Sequence, residues 1–187
     1  MLSTPYVGMQ GEQLSLFGYS RDHAATWSPR DLWLKLDGLN LPDFVEDRRL
    51  ERKSGKTVHF DALAEYASMW SNTVEGGILL IGVENDGRIT GCSGLSQDKL
   101  NRLDSFHTQA CPDAAPQSRR IPATVDGRPD FVVAIFFPYR GFLVETNKHE
   151  AFIRRGDNKH KMSPEEKDDF RSTSRAMKKA VPSRSFA

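Results

Sequence analysis

Glu46, Glu51, Lys53, Glu84 and Asp86 are the residues of this chain whose types and spacing could do chemistry. Glu46 and Glu51 lie five residues apart, and Lys53 follows Glu51 by two. If Leu50 to Lys53 is a strand, Glu51 and Lys53 share one face, because strand side chains alternate. A neighbouring strand over 78–83 would end by bringing Glu84 or Asp86 towards Glu51. Converging carboxylates hold hard divalent cations such as Mg2+ or Mn2+. Such an ion polarises a phosphodiester and lowers the pKa of an attacking water. Lys53 would neutralise charge developing on the phosphate. The candidate metal ligands are Glu46, Glu51, Glu84 and Asp86, and the candidate catalytic set is Glu46, Glu51, Lys53 and Asp86. The same residues also read as surface acids and bases that pair with one another.

A second cluster is basic. Arg154-Arg155-Gly156-Asp157-Asn158-Lys159-His160-Lys161 reads as a strand end leading into a loop. Arg154, Arg155, Lys159 and Lys161 are candidate contacts to nucleic-acid phosphates, which position a backbone without reading its sequence. Alternation puts only one of Arg154 and Arg155 on any given face. A solvated loop would use the same residues. The glycines Gly76, Gly77, Gly82, Gly87 and Gly91 fit neither the P-loop nor the dinucleotide pattern. Gly55-Lys56-Thr57 ends like a P-loop, but Leu50-Glu51-Arg52-Lys53-Ser54 before it is no glycine-rich loop. His23, His59, His107, His149 and His160 show no zinc spacing, and no nucleophile motif stands out. A base-stacking platform is unsupported, with Tyr139-Arg140-Gly141-Phe142 its best exception.

The elements that must position these residues follow from periodicity and end signals. Ser28-Pro29-Arg30-Asp31 starts a short helix that turns Leu32, Trp33 and Leu36 inward. Phe60, Leu63, Ala64, Ala67 and Trp70 recur at helical spacing, predicting a helix over 59–71. The apolar run Ile78 to Val83 fits a strand buried on both faces. The Asn85-Asp86-Gly87 turn predicts Arg88 to Gly91 as its antiparallel partner. A helix runs from Ser96 to about Ala110, where Pro112 ends it. Ile121 to Val125 and Phe131 to Phe137 form a hairpin across Asp126-Gly127. Ala151 to Arg155 is a last strand, and Ser163-Pro164-Glu165-Glu166 opens a capped helix. The fold class expected is α/β (α+β), a mixed sheet with antiparallel hairpins and packed helices.

Composition sets the frame. The chain has 187 residues, 38% of them hydrophobic and 27% charged, enough for one packed domain. No run is long enough to span a bilayer, and no secretion signal is visible at the N-terminus. Cys92 and Cys111 are too few for a disulfide framework, so a reducing cytoplasm is expected. Residues 1–45 carry three basic and five acidic side chains, net −2, against +1 for the whole chain. After Phe170 come Arg171, Arg175, Lys178, Lys179 and Arg184, with no acid. The expected division is an arm with a short helix over 1–45, a domain over 46–170 and a basic tail over 171–187.

The strings LERK, WSNTVEGGILLIGVENDGRITG and AFIRRGDNKHKMSPEE occur in that order. Together they resemble the Schlafen-type AlbA_2 domain, also described as a divergent AAA-type segment, over residues 46–170. The resemblance implies a mixed α/β domain that binds DNA or RNA. In the Schlafen branch an acidic trio forms an endoribonuclease site for transfer and ribosomal RNA. That trio corresponds here to Glu46, Glu51 and either Glu84 or Asp86. The chain departs from the pattern in having Glu84-Asn85 where two aspartates are usual, and Arg52 where an aromatic ring is usual. Two functions follow from the resemblance. One is a nucleic-acid-binding protein that is a divalent-metal-dependent endoribonuclease for structured RNA such as tRNA. The other is a non-catalytic DNA-binding or scaffold subunit of a larger regulatory or defence complex. A domain of this size is expected to form a homodimer or to join such a complex.

Overall fold

The structure, a computed structural model, describes residues 27–56 and 58–180, with side chains to 176. The N-terminal arm before Trp27 and Arg184 of the basic tail lie outside the described residues.

Helix α1 (Pro29–Lys35) begins at a capping box in which the Ser28 hydroxyl accepts the Asp31 N–H and the Asp31 carboxylate accepts the Ser28 N–H. Strand β1 (Leu50–Lys53) is followed by α2 (Phe60–Ser71), β2 (Gly77–Ile81) and α3 (Gln97–Ala110), which Ser96 caps. Strands β3 (Gln117–Val125) and β4 (Arg128–Phe137) form the long hairpin. Strands β5 (Phe152–Arg155) and β6 (Asn158–Lys161) form a short one, and α4 (Pro164–Ala180) closes the described chain.

The main sheet has the order β1-β2-β4-β3. β1 runs parallel to β2, and the other pairs are antiparallel, so the sheet is mixed and the fold is α+β. All five residues of β2 are buried. Alternation sends Leu79 and Ile81, with Val133, Ile135 and Phe137 of β4, to the face covered by α2 and α3. It sends Ile78 and Leu80, with Val132, Ala134 and Phe136, to the face covered by α1 and the turn around Leu41. The two central strands read as continuous apolar runs because both faces are covered. Each such Leu, Ile or Phe contributes about 2 kcal/mol of burial.

Three departures from the sequence expectation have physical causes. Arg88 to Gly91 is no paired strand. Only Val83 and Ile89 meet in an isolated bridge, because β1 and β4 occupy both edges of β2. The chain instead turns across the end of β2, where the N–H groups of Thr90 and Gly91 both donate to the Gly82 carbonyl. Residues 158–161, expected as loop, are strand β6. Both β3 and β4 extend further towards their N-terminal ends than the periodicity suggested.

The second hairpin is held to α2 by side chains at the helix end. Asn72 Nδ2 donates to the carbonyls of Val144 (2.9 Å) and Phe152 (3.0 Å), and its Oδ1 accepts the Val144 N–H (2.8 Å). The Ser68 hydroxyl donates to the Val144 carbonyl and accepts the Phe152 N–H. Thr73 Oγ1 accepts the Arg154 N–H (3.0 Å). Asn72 and Ser68 are fully buried, so losing either strands backbone groups away from water. Asn72→Ala should destabilise the domain by about 3 kcal/mol. Urea unfolding measures this, and a loss below about 1 kcal/mol would contradict the clamp.

Candidate functional site

Strand β1 is an edge strand, with alternating burial along its four residues. Glu51 and Lys53 therefore lie on the α2 face, and Leu50 and Arg52 lie on the α1 face. On the α2 face Glu51 Oε1 accepts hydrogen bonds from Lys53 Nζ (2.7 Å) and Tyr66 Oη (2.9 Å). Its Oε2 lies 3.6 Å from Arg154 Nη1, and the Arg154 side chain is only 6% exposed. Burial works to raise the Glu51 pKa, but Lys53, Tyr66 and Arg154 outweigh it and hold the carboxyl below its ordinary value. Burial works against the Lys53 ammonium, yet the Glu51 carboxylate raises its pKa overall. Burial and the same carboxylate push the Tyr66 hydroxyl up. At neutral pH the cluster is thus a carboxylate, an ammonium, a guanidinium and a protonated phenol. Lys159 closes its rim, 5.0 Å above the Tyr66 ring and paired with Glu65.

The other predicted acids stand apart from this cluster. Glu46 Oε1 accepts the backbone N–H of Arg52 (2.6 Å) and so caps the open edge of β1. Arg52 itself is buried on the α1 face, its guanidinium donating to the carbonyls of Pro42, Phe44 and Asn85. That contact draws the turn over 84–87 towards the face opposite Glu51. Asp86 is 66% exposed there, 3.9 Å from Arg88. Glu84 stays in the turn, its N–H donating to the Arg88 carbonyl. Among the described residues no three His, Cys, Asp or Glu side chains cluster so as to hold a metal ion. Glu51 is taken by Lys53 and Tyr66, Glu46 by a backbone N–H, and Asp86 lies by Arg88, so the four acids do not gather as a shared Mg2+ or Mn2+ site in this arrangement.

The predicted phosphate contacts also separate. Arg155 pairs with Glu166 (2.6 Å), Lys161 with Glu150 (2.5 Å) and Lys159 with Glu65. Arg154 instead turns back to the main sheet edge, where Nη2 donates to the Asp47 carbonyl (3.1 Å) and Nε to the Gly156 carbonyl (3.3 Å). It lines a cleft of about 250 Å³ together with Arg48, Arg49 and the turn from Thr73 to Gly76. Arg48 and Arg49 were not singled out by the sequence. The signal was present in Asp47-Arg48-Arg49, a basic pair in a tight turn before a strand, but nothing in the spacing tied it to Arg154. Tyr66, half-buried, was missed too, because it stood outside the periodic set Phe60, Leu63, Ala64, Ala67 and Trp70 and no spacing tied its hydroxyl to Glu51.

Residues 46–163 match the family model described as Schlafen, AlbA_2. No curated protein matches the chain. Among solved structures the chain is similar to the DIP2311 protein from Corynebacterium diphtheriae, at 24% identity and a TM-score of 0.45 over 62% of this chain. The chain spans about a quarter of that protein's length, 25%. No helix among the described residues is long and apolar enough to cross a membrane.

The Glu51 cluster makes a pH prediction. A carboxyl held below its ordinary 4.5 contributes stability that is present above pH 4.5 and is lost as pH falls through the folded value. Glu51→Gln should cost about 2 kcal/mol at pH 7, because it leaves Lys53 and Arg154 without their anion. The gap to the unaltered protein should narrow steadily below pH 4.5. Denaturant unfolding between pH 7 and pH 3 measures both. A gap that stays constant with pH would show that the carboxylate charge contributes nothing.

Proposed function

Because the chain belongs to the Schlafen AlbA_2 family, we propose that it binds nucleic acid through the phosphate backbone and does not cut it. The observation that carries the second half is the state of Glu51. The carboxylate that would have to bind an ion is already bonded to Lys53 and Tyr66 and faced by Arg154. A metal ligand must offer free lone pairs to the ion. Here the lysine and arginine have the charge that the ion would bring, so a cation would have to displace both.

The endoribonuclease alternative requires Mg2+ or Mn2+ at Glu46, Glu51, Glu84 and Asp86, with Lys53 at the transferring phosphate. It would require the 84–87 turn to leave Arg52 and cross to the α2 face, and Lys53 to release Glu51. The binding reading requires neither movement. It leaves RNA and DNA both open as partners, since phosphate contacts carry no sequence information. It also fits a homodimer or a subunit of a larger complex, either of which would extend the cationic surface. A cytoplasmic setting agrees with Cys92 and Cys111, both buried free thiols with pKa values pushed up by burial to about 11 and about 12.

Incubation of the full chain with tRNA and with single-stranded DNA, in Mn2+ and in chelator, tests this reading. Both nucleic acids should be retained intact, with binding that weakens as salt rises. Cleavage that needs Mn2+ and disappears in Glu51→Ala would overturn the non-catalytic reading. Absence of binding at low salt would overturn the nucleic-acid reading itself.

A further inference from the structure

The cleft beside the edge of β1 has a chemistry of its own. Three arginines line it, Arg48 and Arg49 from the turn before β1 and Arg154 from β5. Its wall is the turn from Thr73 to Gly76, in which Glu75 and Gly76 both take positive φ, 75° and 78°. Gly76 is required at that point, because a Cβ there would overlap the Phe137 carbonyl. The wall is a tight turn between the end of α2 and the start of β2.

Two of the arginines are fixed before any ligand arrives. Arg49 donates from Nε to Asp47 (2.9 Å) and from Nη1 to the Trp27 carbonyl (2.7 Å). Arg154 is held by the carbonyls of Asp47, Gly156 and Asp157, with Glu51 at 3.6 Å. The Asp47 carboxylate faces Arg49 and the Glu51 carboxylate faces Arg154, so carboxylates as well as carbonyls orient the two guanidinium groups. Arg48 differs. It is exposed at the mouth and makes no hydrogen bond or ion pair with any described residue. Two oriented guanidinium groups beside one free arm suit an oxyanion with several acceptor oxygens. Among the described residues Glu75 is the one acid on the lining. A space of about 250 Å³ falls below the usual size of a small-molecule pocket, roughly 300–1,000 Å³, so it accommodates a phosphate and its sugar and not a whole stacked nucleotide.

We infer that this cleft is a phosphate seat, in which Arg48 closes on a phosphate group oriented by Arg49 and Arg154. The inference rests on the nucleic-acid reading for its source of phosphate, the backbone of a bound strand. A free phosphate compound offers the same chemistry, and the test separates the two.

Fluorescence anisotropy with a labelled single-stranded oligonucleotide, over a series of salt concentrations, compares the full chain with Arg48→Gln and Arg128→Gln. Arg48→Gln removes one phosphate contact. It should weaken binding about fivefold at 0.1 M salt and flatten the slope of log K against log salt by about 0.7. Arg128→Gln, exposed at the start of β4 and away from the cleft, should stay within about twofold, since it removes a charge that touches no seat residue. Equal losses in the two variants, or none in Arg48→Gln, would overturn the seat while leaving nucleic-acid binding intact. If the unaltered chain binds no oligonucleotide, melting curves with inorganic pyrophosphate decide. A rise in Tm that Arg48→Gln abolishes would support a seat for free phosphate compounds and end the nucleic-acid reading. No rise would overturn the seat as well. Both variants alter exposed side chains, and their own Tm without ligand verifies that they fold.

Discussion

Asn72 ends helix α2 with a side chain that has no access to water, so its polar atoms must find partners inside the protein. They find them on the segment at Val144 and on strand β5. Those bonds fix where β5 passes the end of α2, and the adjacent Thr73 hydroxyl takes the N–H of Arg154 itself. The guanidinium that lies against Glu51 and lines the arginine cleft is thus placed by a helix terminus. Without the clamp, β5 and β6 would be a two-stranded hairpin, which is marginal on its own. The WSNT string therefore fixes the place of Arg154 as well as that of the hairpin.

The distribution of charge follows from that placement. The chain carries nearly balanced cations and anions, net +1, and most of the basic residues near the second hairpin face a carboxylate. What distinguishes Arg154 is depth. Its side chain is held by carbonyl groups at the sheet edge, and the turn before β1 brings Arg48 and Arg49 to the same place. Glu51 then has two roles at once. It compensates Arg154 from one side and binds Lys53 and Tyr66 from the other. A carboxylate so occupied acts as an internal counter-ion, and Arg48 is the cleft arginine with no carboxylate partner among the described residues.

Much of this was legible in the sequence wherever a local rule decided the outcome. The cap at Ser28, the capping box at Ser163, the buried run of β2 and the shared face of Glu51 and Lys53 all follow from spacing alone. The places where spacing was silent are those where a partner decides. Asn158 to Lys161 is polar and mostly exposed, and becomes a strand only because β5 pairs with it. Arg88 to Gly91 alternates like a strand, but no edge of β2 is open to it. The acids illustrate the same limit. Their order along the chain gave no indication that Arg52 would pull the 84–87 turn to one face while Tyr66 held Glu51 on the other. The cleft joins residues from the turn before β1, the end of α2 and β5, a proximity that only the folded sheet creates.

A heteronuclear NMR titration tests the account most directly. The 15N-labelled chain is titrated with a short single-stranded oligonucleotide, and amide shifts are followed residue by residue. The account predicts that the largest changes fall on Arg48, Arg49, Val74 to Gly76 and Gly156, around the arginine cleft. Changes centred instead on Glu84 to Gly87, with the cleft unmoved, would contradict it and return the acidic turn to the centre of the site.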